Sequence, residues 1–171
     1  NNNFNSKLTS FAEAKLNDGQ RLLAFNDLFI GASSHVSARY QLTYNNKTEE
    51  HSSSGIIVST QAGSTGWLSS IFNMSFGIHM FIEKDNAKKK YAKLNDNQLM
   101  FAVREPFASK KTQVETTAGI ITGQSKLIIQ SYMPNNGLIF SDGIETDFLK
   151  FNSGAIATIG IADEKANLVI G

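Results

Sequence analysis

Cysteine is absent from these 171 residues, which removes disulfides and every thiolate metal site. The chain has only two prolines, Pro106 and Pro134, so its turns fall to Gly, Asn, Asp and Ser. Neither sign of charge dominates. The formal net charge is +1, so no overall field draws the chain to nucleic acid or to a membrane. No stretch approaches the ~18 consecutive apolar residues of a membrane span. The most apolar short run, residues 76–82, is interrupted by His79. The start, Asn1-Asn2-Asn3-Phe4-Asn5, lacks the basic opening and apolar centre of a signal peptide. It also lacks an initiator Met, which points to a processed chain or a piece of a longer one. Neither a G-x-x-x-x-G-K-[ST] loop nor a G-x-G-x-x-G turn occurs. The three histidines, His35, His51 and His79, have no metal-ligand spacing.

Apolar residues make up 41% of the chain, enough for a packed core, and twelve Phe with many Ile, Val and Leu favour pleated surfaces. Residues 27–32 read as a strand. Residues 35–44 alternate, with Val36, Ala38, Tyr40 and Leu42 on one face. Asn45-Asn46-Lys47 reads as a hairpin turn, and residues 48–54 as a polar return strand or loop. Residues 55–60 form a short apolar strand of the kind buried on both faces. A loop, residues 61–67, leads into a short helix through Phe72, with Ser64 or Thr65 as its N-cap. Residues 74–98 read as an inserted excursion. It carries Lys84, Lys88, Lys89, Lys90 and Lys93, a solvated face or an anion-binding patch.

The second half returns to strands over residues 99–105, 118–122, 126–133, 137–140, 154–162 and 167–170. Pro134-Asn135-Asn136-Gly137 and Ser141-Asp142-Gly143 are the turn signals between them. Many short, closely spaced strands predict a mainly β chain, a sandwich or barrel, with one or two short helices. No linker divides it, so the reading is a single domain over 1–171, with residues 1–20 a poorly defined leader.

The stretch richest in chemistry is Ser59-Thr60-Gln61-Ala62-Gly63-Ser64-Thr65-Gly66-Trp67. A buried strand delivers glycines and hydroxyls to a helix start, where backbone N–H groups bind ribose or phosphate oxygens. Trp67 adds a flat face for a base. A capped helix with a buried Trp explains the same residues. Asn26-Asp27 opens an apolar strand, and an amide beside a carboxylate suits a vicinal diol; a simple turn before a strand fits too. Asp142-Gly143 is a third candidate and a natural hairpin turn.

In order and spacing these segments resemble the C-terminal, substrate-binding half of the NAD kinase family. The family's T-P-x-G-S-T-A-Y-x-x-S run is matched by Thr60 through Ser70, its Asn-Glu pair by Asn26-Asp27, and its later Asp-Gly by Asp142-Gly143. The resemblance runs from about residue 20 to Ile170. It implies a two-layer β-sandwich and ATP- and Mg2+-dependent phosphorylation of the adenosine ribose 2′-hydroxyl of NAD. By the same resemblance the substrate would be held by Asn26, Asp27, Ser64, Thr65, Trp67 and Ser70. Homo-oligomers in the cytoplasm are implied, without nucleic acid or membrane as partner.

The departures are specific. Ser54-Gly55 stands for the family's Asp-Gly, Gln61 for Pro, Gly66 for Ala and Trp67 for Tyr. The family's G-G-D-G-T triphosphate loop, carried by an N-terminal α/β domain, has no counterpart here. Phosphoryl transfer needs phosphate, metal and nucleophile positioned together. The chain alone is therefore expected to be inactive, with no catalytic residue of its own. The alternatives are a catalytically inactive dinucleotide-binding or regulatory module, and a related diacylglycerol or sphingoid lipid kinase domain.

Overall fold

A computed structural model describes residues 5–84 and 88–170. Two six-stranded antiparallel sheets stack into a two-layer β-sandwich, which is one of the two architectures, sandwich or barrel, expected from the strand spacing. The first sheet has the order β2-β1-β12-β9-β4-β5 and the second β11-β10-β3-β6-β7-β8. In chain order the strands are β1 (Asn5–Leu16), β2 (Arg21–Ala24), β3 (Asp27–Ala32), β4 (Ala38–Tyr44), β5 (Lys47–Ser53), β6 (Ile56–Ser59), β7 (Leu99–Val103), β8 (Ala118–Ile121), β9 (Leu127–Ser131), β10 (Gly137–Ser141), β11 (Ile144–Lys150) and β12 (Ile156–Ile170). The one α-helix among the described residues, α1 (Trp67–Glu83), follows a 3-10 turn at Gly63–Thr65.

The period of two builds the core. Ala38, Tyr40 and Leu42 of β4 face inward, while Arg39 between them is exposed. They join Ile30, Ile56, Val58, Phe101, Ile129 and others from both sheets in one apolar cluster. Val36, expected on that inner face, lies outside β4 and is exposed.

β6 is buried on both faces, as its apolar run predicts. Ile56 and Val58 face the central core, while Ile57 turns outward. There Ile57, Phe29 and Phe140 form a second cluster, against which Trp67 and Ile71 of α1 pack. Leu68 meets Leu94 and Ala102 in a third. The outward apolar row across β10, β3, β6 and β7 is therefore what seats the start of α1.

Two hairpins follow turn chemistry. Asn45 and Asn46 (φ 49° and 63°) join β4 to β5, and Asp142 and Gly143 (φ 53° and 74°) join β10 to β11. Successive positive φ values are the type I′ signature. Each of these residue types tolerates the left-handed region better than most.

β5 is an edge strand whose exposed backbone would invite pairing with another chain. The irregular segment over residues 104–117 covers it. Phe107 and Gln113 donate backbone N–H bonds of 2.9 Å to the carbonyls of Ser52 and Glu50. Beneath it lies the buried Glu49 carboxylate, which accepts from the Thr116 amide at 3.1 Å and from Lys47 Nζ at 3.0 Å. Burial pushes this carboxyl up, but the bonds from Thr116 and Lys47 outweigh it and hold the group down at about 2. His51 stacks on Tyr40 with centroids 5.5 Å apart, and burial pushes its imidazole pKa down.

Three expectations change. Residues 5–16, within the supposed leader, form β1 in the interior of the first sheet; residues 1–4 lie outside the described residues. The helix does not stop at Phe72 but runs to Glu83, ending where Lys84 adopts the left-handed conformation (φ 52°). The run 73–83 holds no proline, and its one interior glycine, Gly77, costs only ~1 kcal/mol against Ala. The last two strands are one, β12, paired with β1 along most of its length.

Candidate functional site

β3 carries Asn26 at its entrance and Asp27 as its first residue. Both backbone amides donate to one carboxylate. Asp142 Oδ1 accepts from the Asn26 N–H at 2.6 Å and the Asp27 N–H at 3.1 Å, and Oδ2 accepts from the Phe25 N–H at 2.9 Å. Asp142 is thus both a hairpin residue and the clamp on the β3 entrance. The hairpin reading of Asp142-Gly143 was correct but incomplete.

The glycine-rich loop closes on the same point. Thr60 donates its backbone N–H to the Asn26 carbonyl at 2.9 Å and its hydroxyl to the Phe25 carbonyl at 2.6 Å. The Gly63 N–H returns to the Thr60 hydroxyl at 3.2 Å. Gly63 lies flat on the Asn26 backbone, where a β-carbon would come within 2.6 Å of the Asn26 carbonyl carbon. Glycine is required for this close approach, not for its φ freedom.

The N-cap expectation is corrected. The N-cap of α1 is Gly66, without a side-chain cap. The Ser64 hydroxyl instead donates to the Gln61 carbonyl at 2.7 Å, because the 3-10 turn interposes before the helix begins. Thr65 is exposed at the end of that turn, and Ser70 is exposed one turn into α1. Ser69, not singled out from the sequence, donates to the Thr65 and Gly66 carbonyls at 2.8 Å each.

Asp27 is the unusual ionisable group. Its side chain projects on the same side of β3 as Phe29, beneath the start of α1. A β-carbon on Gly66 would stand 4.0 Å from Asp27 Oδ2. Oδ1 is buried and accepts no hydrogen bond from the described residues. Burial pushes the carboxyl up to about 6; the neighbouring Ser59 hydroxyl opposes this and the Asp142 charge adds to it. The stability consequence has a definite sign. The raised group favours the fold fully below its ordinary 3.8, and that contribution is lost as pH rises through about 6. Asp27→Asn should therefore melt higher than the parent at pH 8, with the gap closing by pH 4. Equal melting temperatures at pH 8 would contradict the burial of this charge.

Trp67 looks the other way. Its ring stacks on Phe29 at 5.7 Å and 8°, and the Arg104 guanidinium sits 5.3 Å from its centroid. This is a stacked and cation–π arrangement rather than a bare aromatic face. Trp67 and Phe29 line an open groove of about 980 Å3, together with Phe140, Phe148, Arg104 and Lys150. Phe148 and Phe140 are directly opposed across β11 and β10, as are Phe140 and Phe29 across β10 and β3. The groove floor is therefore one aromatic row. Its length runs toward residues 32–37 and 135–137, away from the β3 entrance.

Of the six residues expected to hold substrate, Asn26, Asp27 and Ser64 belong to segments packed together at the β3 entrance. Trp67 alone lines the groove, and Thr65 and Ser70 are at the surface. Sequence reasoning missed Arg104, Phe140, Phe148 and Lys150. The signal available for the aromatics was period-two placement, since Phe29 and Phe140 alternate with Leu28, Ile30 and Ile139, which face the central core. Among the described residues no three His, Asp or Glu side chains are grouped to hold a metal. Asp142, the nearest carboxylate to Asp27 by charge, already has both oxygens engaged by backbone amides. The corner is thus not a fitting ligand set for Mg2+.

No family model matches this chain, and no curated protein matches it.

Proposed function

We propose that this chain is the substrate-binding half of a NAD kinase-like enzyme and that it binds NAD through the adenosine ribose. The observation that carries the reading is convergence. Asn26-Asp27, Gly63–Ser64 and Asp142 are far apart in sequence, were singled out together by the resemblance, and meet at one corner. The chemistry suits a sugar hydroxyl. Asp27 Oδ1 is a buried acceptor awaiting a donor, and leaving such an atom unpaired costs about 1–3 kcal/mol. A ribose O–H reaches that atom only by shifting the start of α1, because Oδ1 is buried. The groove beyond Trp67 offers aromatic surface for a base, with Arg104 and Lys150 as counter-charges for phosphates.

In this reading ATP and Mg2+ are bound by a separate N-terminal α/β domain, which brings the catalytic base, and no chemical step is assigned to the residues of this chain. They bind and orient NAD. Assembly into homo-oligomers and a cytoplasmic location belong to the same reading. No helix among the described residues is long and apolar enough to cross a membrane.

Trp67 is the only tryptophan, so its fluorescence reports on the groove and its corner alone. Titration with NAD should change the emission saturably, and Asp27→Ala should weaken the apparent affinity about tenfold or more, the value of a hydrogen bond to a charged group. A flat response up to millimolar NAD overturns the proposal.

A further inference from the structure

Two parallel rows of the second sheet shape the groove, and strand register fixes both. One row carries Phe148, Phe140 and Phe29 across β11, β10 and β3. Two residues away on each strand, and so on the same face, the next row carries Lys150, Leu138 and Gly31. Gly55 continues that row, since a β-carbon on Gly31 would stand 3.2 Å from its Cα. Arg104 ends it, donating its backbone N–H to the Gly55 carbonyl at 2.8 Å. A cation therefore closes each end of the row, and both cations line the groove.

The middle of the second row has no side chains, and the Phe29 ring lies in that space. β-Carbons on Gly31 and Gly55 would come within 2.6 and 2.7 Å of its atoms. Trp67 stacks on Phe29, and Arg104 sits against Trp67, so these rings are already occupied. The open part of the floor is Phe148, 44% exposed, beside the buried Phe140. Charge in the groove is one-sided. Glu105 is the only carboxylate of the lining, and it stands 3.8 Å from the Arg104 guanidinium, too far for a hydrogen bond. The Arg104 side chain is only 28% exposed, so the cation is partly stripped of water without a close anion to replace it.

We propose that the groove is a site of its own for a small ligand made of a flat aromatic ring bearing one anionic group, a carboxylate or a phosphate. The row of Phe140 and Phe148 seats the ring by stacking. The anion turns to Arg104, whose planar fork matches a carboxylate or phosphate. Lys150 holds the opposite end positive, so an anion is favoured along the length. A volume of about 980 Å3 suits a small molecule, whose sites run to about 1,000 Å3. Neither Asn26 nor Asp27 lines the groove, so this site stands whether or not the corner binds ribose.

The test is a saturation-transfer NMR titration read on ligand protons. Benzoate and adenosine monophosphate are the anions, with benzyl alcohol and adenosine as their neutral counterparts. Each anion that binds should do so about tenfold or more tightly than its neutral counterpart, the value of a hydrogen bond to a charged group. Benzoate alone binding assigns the site to free aromatic acids, and adenosine monophosphate alone assigns it to nucleotides. Arg104→Gln should bring anion and neutral ring to about the same affinity, and Lys150→Gln should reduce the difference in part. Phe148→Ser should weaken all binding, while Asp27→Asn should change none of it. No saturable transfer to either anion, or no preference for anion over neutral ring, overturns the proposal. So does a loss of binding on Asp27→Asn, which would send the ligand to the corner, or tighter binding of hexaglutamate than of either ring, which would assign the groove to a polypeptide. Benzoate binding beside a flat NAD titration of Trp67 supports the groove and removes only the reading of the corner.

Discussion

Gly63→Ala is expected to lose about 3 kcal/mol of stability, seen as a fall of about 6–12 °C in melting temperature for a chain of this size. The added β-carbon would meet three backbone atoms of Asn26, its carbonyl oxygen, its carbonyl carbon at 2.6 Å and its Cα at 2.8 Å. No rotamer change relieves a backbone clash. Either the loop lifts or the β3 entrance shifts, and each breaks the bond from Thr60 to the Asn26 carbonyl. Gly77→Ala makes the control. Nothing stands within 4 Å of a β-carbon there, and the residue is helical, so the exchange should stabilise by roughly 0.5–1 kcal/mol. Opposite signs from the same chemical change would locate the effect in close approach at Gly63. Equal shifts would refute the packing described for the corner.

Asp142→Gly should cost about 2–3 kcal/mol. Three backbone amides at the β3 entrance, those of Phe25, Asn26 and Asp27, lose their carboxylate acceptor, while water replaces part of it because the site is exposed. Glycine is the informative replacement. Asp142 has φ 53°, and alanine there would add a turn penalty to the lost clamp. Asp142→Asn keeps one acceptor and should fall between. The measurements are a urea midpoint and, on the same samples, the NAD titration of Trp67. If the corner binds ribose, affinity falls with stability, because the clamp fixes Asn26 and Asp27. A stable Asp142→Gly protein with unchanged urea midpoint would show that the hairpin needs no clamp.

Much of the fold was legible because large apolar residues mark it. β4 shows clean alternation of Ala38, Tyr40 and Leu42, and β6 an unbroken Ile-Ile-Val run, so period and burial agree. β1 was not legible, for a physical reason. Its inward positions are mostly small or polar, among them Thr9, Ser10, Ala12 and Ala14, and alanine carries no strand signal. β12 was split because Asp163, Glu164 and Lys165 are polar and exposed. Beyond Ile159 its described pairing is with β1 alone, so little core is there to demand alternation. The missed edge strand β11 exposes Ile144 and Phe148, which read as surface apolar residues.

The corner was partly legible, since turn chemistry and glycine spacing belong to local sequence. The direction of Trp67 was not. It depends on Phe29 and Arg104, which come from β3 and from the end of β7, and only the assembled sheet sets the two beside it. Ser64 or Thr65 was expected to cap the helix; the cap is Gly66, and Ser64 closes its own turn. Short hydroxyl side chains take whichever carbonyl lies nearest, and the 3-10 turn placed Gln61 first.

The pairing of β1 with β12 sets the tempo of assembly. Asn5 opposes Ile170 and Leu16 opposes Ala157, so the first strand of these residues waits for the last. Until then β1 has only the four-residue β2 beside it, and one of its long backbone edges stays unsatisfied. Closing so large a loop before any contact rewards it makes for slow folding. The first sheet is therefore the late-forming layer, and the interval before its closure is when the nascent chain is most open to wrong partners.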